Sequence, residues 1–251
     1  MVRNPDSLHS PPVATLNPVK GTGQFCSVAR AIELLGGRWT LLIVRELLCG
    51  SRRFNDIRRG IPRISRTILS ERLQALAAAG VIVRDEGSSG PEYALTEAGL
   101  ELASLVEALG GWGQRWLPRQ AHAEDLDLEP VLLDMARRVD FDALPHQPLV
   151  LRLEFDGRRP SYLLLRASEA SLCNHNPGYP EPLCLKGSRS ALVAWWRGDC
   201  SFIEAQRLGL RVEGPRNLIH AFPNWFLRYM FADIRPAAGQ DSVPLNLAEP
   251  A

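Results

Sequence analysis

Residues 36–74 read GGRWTLLIVRELLCGSRRFNDIRRGIPRISRTILSERLQ, and the breaks in this stretch decide the N-terminal fold. Gly36-Gly37 stops one helix before the next begins. Thr40–Leu48 is strongly apolar: Leu41, Leu42, Val44, Leu47 and Leu48 leave little polar surface, which places this helix at the centre of a domain. Phe54–Arg59 makes a short helix. Gly60-Ile61-Pro62 is a turn, because proline disfavours helix at the residue before it. Ser65 stands where an N-cap belongs, opening a helix to Ala79 that Gly80 ends. Its expected inner stripe is Ile68, Leu69, Leu73 and Leu76. Its outer side carries Arg66, Thr67, Ser70, Glu71 and Gln74.

Upstream, Ser27–Leu35 has helical spacing, with Val28, Ile32 and Leu35 on one face. Downstream, Val81–Arg84 and Tyr93–Leu95 are short extended runs around a hairpin tip, Gly87-Ser88-Ser89-Gly90-Pro91. Thr96 caps a final helix to about Trp116, with Glu97 in its acidic first turn. Three helices, a tight turn, a fourth helix, a hairpin and a closing helix make the layout of a winged helix-turn-helix. Eight arginines stand against three acids between Arg45 and Arg72, in a chain of net charge +1. Such a run is either a solvated face or a phosphate-facing surface, and its position on the turn and its two helices favours DNA. The candidate contacts are Arg52, Arg53, Arg58 and Arg63 for phosphates, with Ser65, Arg66, Thr67, Ser70 and Gln74 at the reading helix.

Many separated positions agree in order with one family. Cys26-Ser27-Val28, Gly36-Gly37-Arg38-Trp39-Thr40-Leu41-Leu42-Ile43, Arg45-Glu46-Leu47-Leu48, Gly50, Arg53-Phe54-Asn55, Ile64-Ser65, Leu69, Arg72-Leu73 and Tyr93-Ala94-Leu95-Thr96 resemble the HxlR family of dimeric winged-helix regulators over roughly residues 25–116. The resemblance implies a homodimer on double-stranded operator DNA, with the Ser65 helix in the major groove and the hairpin as wing. The wing departs from the pattern in being short and acidic (Asp85, Glu86, Glu92), and Arg66 stands where proline is usual. Some members sense oxidants through a cysteine at the position of Cys26. A thiol near a helix start is also acidified by the dipole, although an ordinary small residue would serve there equally well.

From residue 129 the texture changes. Glu129–Val139 reads as a helix, and Leu149–Phe155 alternates as a strand with Leu149, Leu151, Leu153 and Phe155 pointing one way. Asp156-Gly157 signals a hairpin to Ser161–Arg166. Leu183–Lys186 is a strand, Ser188–Arg197 a helix stopped by Gly198, Ser201–Arg207 a capped helix, Leu208–Glu213 a strand, and the start of Pro215–Trp225 helical. This order, closest over Gly187–Arg216, is similar to the sterol-carrier-protein-like domain, an α+β fold enclosing an apolar tunnel. The resemblance implies a hydrophobic small-molecule effector and no catalysis. Tunnel candidates are Leu151, Leu153, Phe155, Tyr162, Leu164, Trp195, Trp196, Phe202, Leu210, Phe222, Trp225 and Phe226. An apolar stripe alone does not distinguish a pocket from a core.

The expected organisation is therefore α+β: a disordered arm (1–24), a winged helix-turn-helix (25–117), a linker (118–128), a sterol-carrier-like domain (129–235) and a loose tail (236–251). No apolar run reaches the ~18–20 residues of a membrane helix, and five cysteines without an export signal suggest a reducing cytoplasm. Cys173, His175 and Cys184 fit no standard metal spacing, so neither metal nor cofactor is expected. No phosphate loop or nucleophile elbow occurs. The reading is a ligand-responsive transcription regulator and not an enzyme. The alternative is a lipid carrier or enzyme-like protein in which the second domain carries the activity and DNA binding is vestigial.

Overall fold

The computed structural model describes residues 22–87, 90–117, 127–155, 157 and 159–237. Most of the expected arm, the hairpin tip at Ser88-Ser89, most of the linker and most of the tail lie outside these residues. The chain forms two compact units, Met1–Val106 and Glu107–Ala251.

The first unit contains α1 (Ser27–Leu35), α2 (Thr40–Leu48), α3 (Phe54–Gly60), α4 (Arg66–Ala78), a hairpin of β1 (Ile82–Gly87) and β2 (Gly90–Leu95), α5 (Glu97–Leu100) and the start of α6 (Leu102–Trp116). Its core joins Ile43, Val44 and Leu47 of α2, Ile57 of α3, Ile61 and Ile64 of the turn, Leu69, Leu73 and Leu76 of α4, and Val81-Ile82. Fully burying each such side chain contributes roughly 1.5–3 kcal/mol. The strands pair antiparallel from Ile82↔Leu95 to Gly87↔Gly90, so the wing is longer than the sequence pattern indicated.

Two expectations are corrected here. Ile68 is exposed, and the buried stripe of α4 is Leu69, Leu73 and Leu76 alone. The closing helix is two helices. Thr96 Oγ1 accepts from Gly99 N (3.2 Å) and donates to Gly80 O (2.6 Å), pinning the short α5 against the start of β1 before α6 begins. Gly99 is required there, because a Cβ would lie 2.1 Å from Val81 O.

The second unit contains α7 (Leu128–Arg137), β3 (Leu149–Glu154), β4 (Ser161–Arg166), β5 (Glu169–Cys173), β6 (Leu183–Gly187), α8 (Arg189–Arg197), α9 (Phe202–Arg207), β7 (Leu210–Glu213) and α10 (Arg216–Ala221), followed by a 3-10 turn, Phe222–Trp225. The sheet order is β5-β4-β3-β6-β7, with β3 and β6 parallel and the other neighbours antiparallel. Caps fix the helix starts: Ser188 accepts from Ala191 N, and Ser201 with Glu204 forms a capping box. Residues 107–116 of α6 pack within this unit. Gly110 seats the Phe231 ring, where a Cβ would lie 2.3 Å from Phe231 Cζ, and Gln114 Nε2 donates to Arg197 O (3.3 Å).

The register divides the expected tunnel residues between the two faces of the sheet. Leu151 pairs with Leu163 and Leu149 with Leu165, so these share the inner face with Leu153, Leu183, Leu185, Leu210 and Val212. Tyr162 pairs with Arg152 and Leu164 with Val150, which places both on the opposite face. On the inner side, Trp195, Trp196, Phe202, Phe222, Trp225 and Phe226 lie against one another, with centroids 5.2–6.4 Å apart and mostly edge-to-face. All but Phe202 are buried, in one cluster with Leu151, Leu153 and Phe155. Trp196 Nε1 donates to Asp134 Oδ2 (2.7 Å), tying α8 to α7.

Phe222 touches four other rings and has no exposed surface. Phe222→Ala is therefore expected to cost about 3–5 kcal/mol, measured by denaturant unfolding followed through tryptophan fluorescence. A cost below about 1 kcal/mol, far under that of emptying a packed site, would mean that the ring lines open space.

Candidate nucleic-acid interface

The helix-turn-helix is held from below by one carboxylate. Glu46 in α2 is 2% exposed; its Oε1 accepts from Arg45 Nη2 (2.6 Å) and its Oε2 from Ser51 Oγ (3.3 Å). Arg45 Nη2 also donates to Gly60 O (3.1 Å), which links α2 to the end of α3. Residue 60 has to be glycine, because a Cβ there would stand 2.0 Å from Glu46 Oε2. A buried carboxylate costs several kcal/mol unless donors surround it, so this cluster fixes the geometry of the turn.

Above this hub, Ser65 caps α4 by accepting from Ile68 N (3.2 Å). Ser65, Arg66, Thr67 and Gln74 are exposed and Ser70 is half-buried. Arg66 lies over the Phe54 ring at 5.9 Å. Arg52 and Arg63 are exposed, whereas Arg58 is half-buried with Nε lacking a hydrogen-bond partner among the described residues. Arg53 is engaged elsewhere. Its Nη2 pairs with Glu92 Oε1 (3.3 Å), and Tyr93 N donates to Arg52 O (2.7 Å), so the start of α3 is stitched to the wing. With both side chains well exposed, that ion pair contributes at most ~1 kcal/mol, but it gives Arg53 a local partner. The wing itself presents Arg84 paired to Glu86 (3.0 Å) beside exposed Asp85.

The sequence pattern did not identify three features: the Glu46–Gly60 contact, the Arg53–Glu92 pair, and the backbone of Trp39. Trp39 has φ 82, a left-handed conformation costing roughly 1–2 kcal/mol for a residue with a Cβ, and the Arg38 guanidinium covers its ring at 4.6 Å. A lone acid inside an apolar helix was the available signal for Glu46.

Two helices, α1 and α6, carry uncovered apolar side chains. Val28 and Ile32 of α1 are exposed, and Leu105, Leu109, Trp112 and Trp116 form an exposed stripe along α6. Cys26 occupies the N-cap of α1; its sulfur makes no cap hydrogen bond, yet the N–H groups of Ala29 and then Val28 face it and lower its pKa. Burial, with Glu204 and Asp199 nearby, pushes Cys200 up to about 11. Among the described residues no group of three or more His, Cys, Asp or Glu could hold a metal ion, and no helix is long and apolar enough to cross a membrane.

A family model for the HxlR-like helix-turn-helix matches residues 34–121. YvaP, an HTH-type transcriptional regulator of Bacillus subtilis, is 40% identical over 91 residues, 35% of this chain and 84% of that protein. The chain belongs to the HxlR-like helix-turn-helix family. Two mycobacterial relatives, HTH-type transcriptional regulators of Mycobacterium bovis and Mycobacterium tuberculosis, are 49% identical over 98 residues, 37% of this chain. The chain spans 60% of their length. Among solved structures, the reduced form of the transcriptional regulator YodB from B. subtilis is 33% identical, with 36% of this chain and 93% of that one covered and a TM-score of 0.33. The family match runs from the end of α1 through the whole of α6 and so takes in the first residues of the second unit; the rest of that unit lies beyond it.

The thiols of this HxlR-like chain should separate by reactivity. The thiolate alkylates, so a lowered pKa brings reaction at lower pH. Iodoacetamide near neutral pH is expected to label Cys26 first, and Cys200 only as the pH approaches 11. Equal labelling, followed by peptide mass spectrometry, would remove the special character of Cys26.

Proposed function

We propose that this chain is a dimeric transcription regulator that reads double-stranded operator DNA through α4. The observation carrying the reading is the Ser65-capped helix, which aims Arg66, Thr67, Ser70 and Gln74 outward over a buried Leu69–Leu73–Leu76 stripe. With thirteen residues, α4 is about 20 Å long, and a helix fits the ~12 Å major groove of B-DNA. Arg52, Arg58 and Arg63 flank its entry and serve phosphates. Such a protein works where the chromosome is, in the cytoplasm, and needs no catalytic residue. Arg66→Ala is expected to weaken operator binding by ~1–3 kcal/mol if it reads a guanine. Arg52→Ala should weaken specific and random DNA alike and flatten the salt slope by about one unit. Gel retardation across a salt series measures both, and wild-type affinity in an Arg66/Thr67/Ser70 triple alanine variant rejects the docking.

A second copy is the occupant that suits the apolar faces of α1 and α6. Leu109 and Trp112 lie on one side of a helix in a family whose named members are regulators, and a two-fold dimer would present two α4 helices about 34 Å apart, one turn of DNA. Light scattering at micromolar concentration should give a dimer for wild type and a monomer for Leu109→Glu, with unchanged circular dichroism. A monomeric wild type rejects this part.

Two finer readings have one supporting observation each. Oxidant or electrophile sensing by Cys26 is supported by its acidified thiol. Control by a hydrophobic effector in the second unit, as in a sterol-carrier-like domain, is supported by Trp225 Nε1, a donor buried in an apolar cluster without a partner among the described residues. The inner faces and the aromatic rings fill one another, so the Phe222→Ala measurement separates an effector site from a core.

A further inference from the structure

Three acids stand among the eight arginines of residues 45–72, and two of them have an evident place in the fold. Glu46 is buried and accepts from Arg45 and Ser51. Asp56 lies in the first turn of α3, where the positive end of the helix dipole favours a carboxylate. Glu71 has neither role. It is exposed in the middle of α4, and among the described residues it has no hydrogen bond or ion pair. Nor does its own helix offer a cation one turn away: the positions three and four residues before and after it are Ile68, Thr67, Gln74 and Ala75.

Glu71 also stands at the centre of the outward face. Thr67, Glu71, Gln74 and Ala78 are all exposed, and at about 3.6 residues per turn they run opposite the buried Leu69, Leu73 and Leu76. The side of α4 that turns furthest from the core therefore carries a carboxylate between two neutral polar side chains. Near a duplex that charge is repelled by phosphates, the opposite of what the surrounding arginines do. A carboxylate accepts hydrogen bonds and donates none, and among base edges the major groove offers it only the exocyclic amino groups of cytosine and adenine. Adenine sets its N7 acceptor beside the amino group, where a carboxylate is repelled, whereas the cytosine edge carries the amino donor alone.

We infer that Glu71 is a base-reading residue, which accepts a hydrogen bond from the N4 amino group of a cytosine in the major groove. The inference rests on the DNA-binding reading above and adds to it the base that the middle of α4 selects. Glu71 spends affinity for DNA in general to obtain discrimination at one position, because its charge is offset only where that amino group is present.

The test uses the full chain. Duplexes bound from a randomised library are sequenced for wild type, Glu71→Gln and Glu71→Ala, and the best wild-type site is then titrated with all three. Glutamate, glutamine and alanine are all good helix formers, so circular dichroism should be the same for each. Wild type should enrich cytosine at a position that both variants leave unselected. Exchanging that C·G pair for T·A puts the O4 acceptor where the donor stood, and it should weaken wild type by roughly tenfold or more while the variants lose most of that penalty. Glu71→Gln should turn the preference toward adenine, whose N6 and N7 a carboxamide meets together. Both variants should also bind random duplex more tightly than wild type, since a charge of the phosphates' own sign is gone. Variants that tighten on every duplex alike and keep the wild-type preferences would make Glu71 a repelling charge only; this overturns the inference and leaves the regulator reading standing. A C·G to T·A exchange that weakens all three proteins equally assigns the base to another residue and overturns it too. A wild type that binds no duplex of any sequence removes the regulator reading and the inference together.

Discussion

A carboxylate almost cut off from water has to be met by donors, and in the first unit that requirement organises the parts that present α4. Glu46 lies in the most apolar helix of the chain, where an unpaired charge would cost several kcal/mol. Arg45 and Ser51 meet it, and Arg45 extends the cluster to the carbonyl of Gly60. The end of α3 can come this close because Gly60 has no side chain. The close approach of α2 and the end of α3 thus follows from one acid and one glycine, fourteen residues apart, and the Ser65 cap then sets where α4 begins.

Helix positions were legible in the sequence because caps and stops are local chemistry. Ser65, Thr96 and Ser201 each accept a backbone N–H at the helix start where they were expected, and Ser188, read as the first residue of its helix, caps it instead. What escaped depends on contacts distant in sequence. Strand β5, Glu-Ala-Ser-Leu-Cys, has only Leu172 as a large apolar residue, since an edge strand has less surface to bury, and the pattern gave no sign of it. Tyr162 and Leu164 were grouped with Leu151 because all three are apolar in strands; the pairing of Leu151 with Leu163 sends them to the other face, since one residue of register inverts a strand. The wing partner of Arg53, thirty-nine residues on, likewise left no sign in the local pattern.

The candidate interface was legible in outline and less so in detail. Arg66, Thr67 and Gln74 stand exposed on α4, as the helical period required, and Ile68 joins them at the surface although its type argued for the interior. In the second unit the named aromatic residues do come together, but composition could not say whether rings face a space or each other. Ring contacts among six of them, mostly edge-to-face, set them against one another.

The second unit's sheet is open, with β5 at one edge and β7 at the other. An open edge offers free backbone N–H and C=O groups to any passing strand and is a route to aggregation. Both edges here are short, five residues in β5 and four in β7. Glu169 opens the first, and Arg211 and Glu213 alternate outward along the second, with Glu213 paired to Lys186 of β6 (2.8 Å). A strand adding to either edge would gain few hydrogen bonds and would have to bring its own chain beside fixed charges. Colloidal stability is thereby written into the rim of the sheet, leaving its interior free to be as aromatic as packing allows.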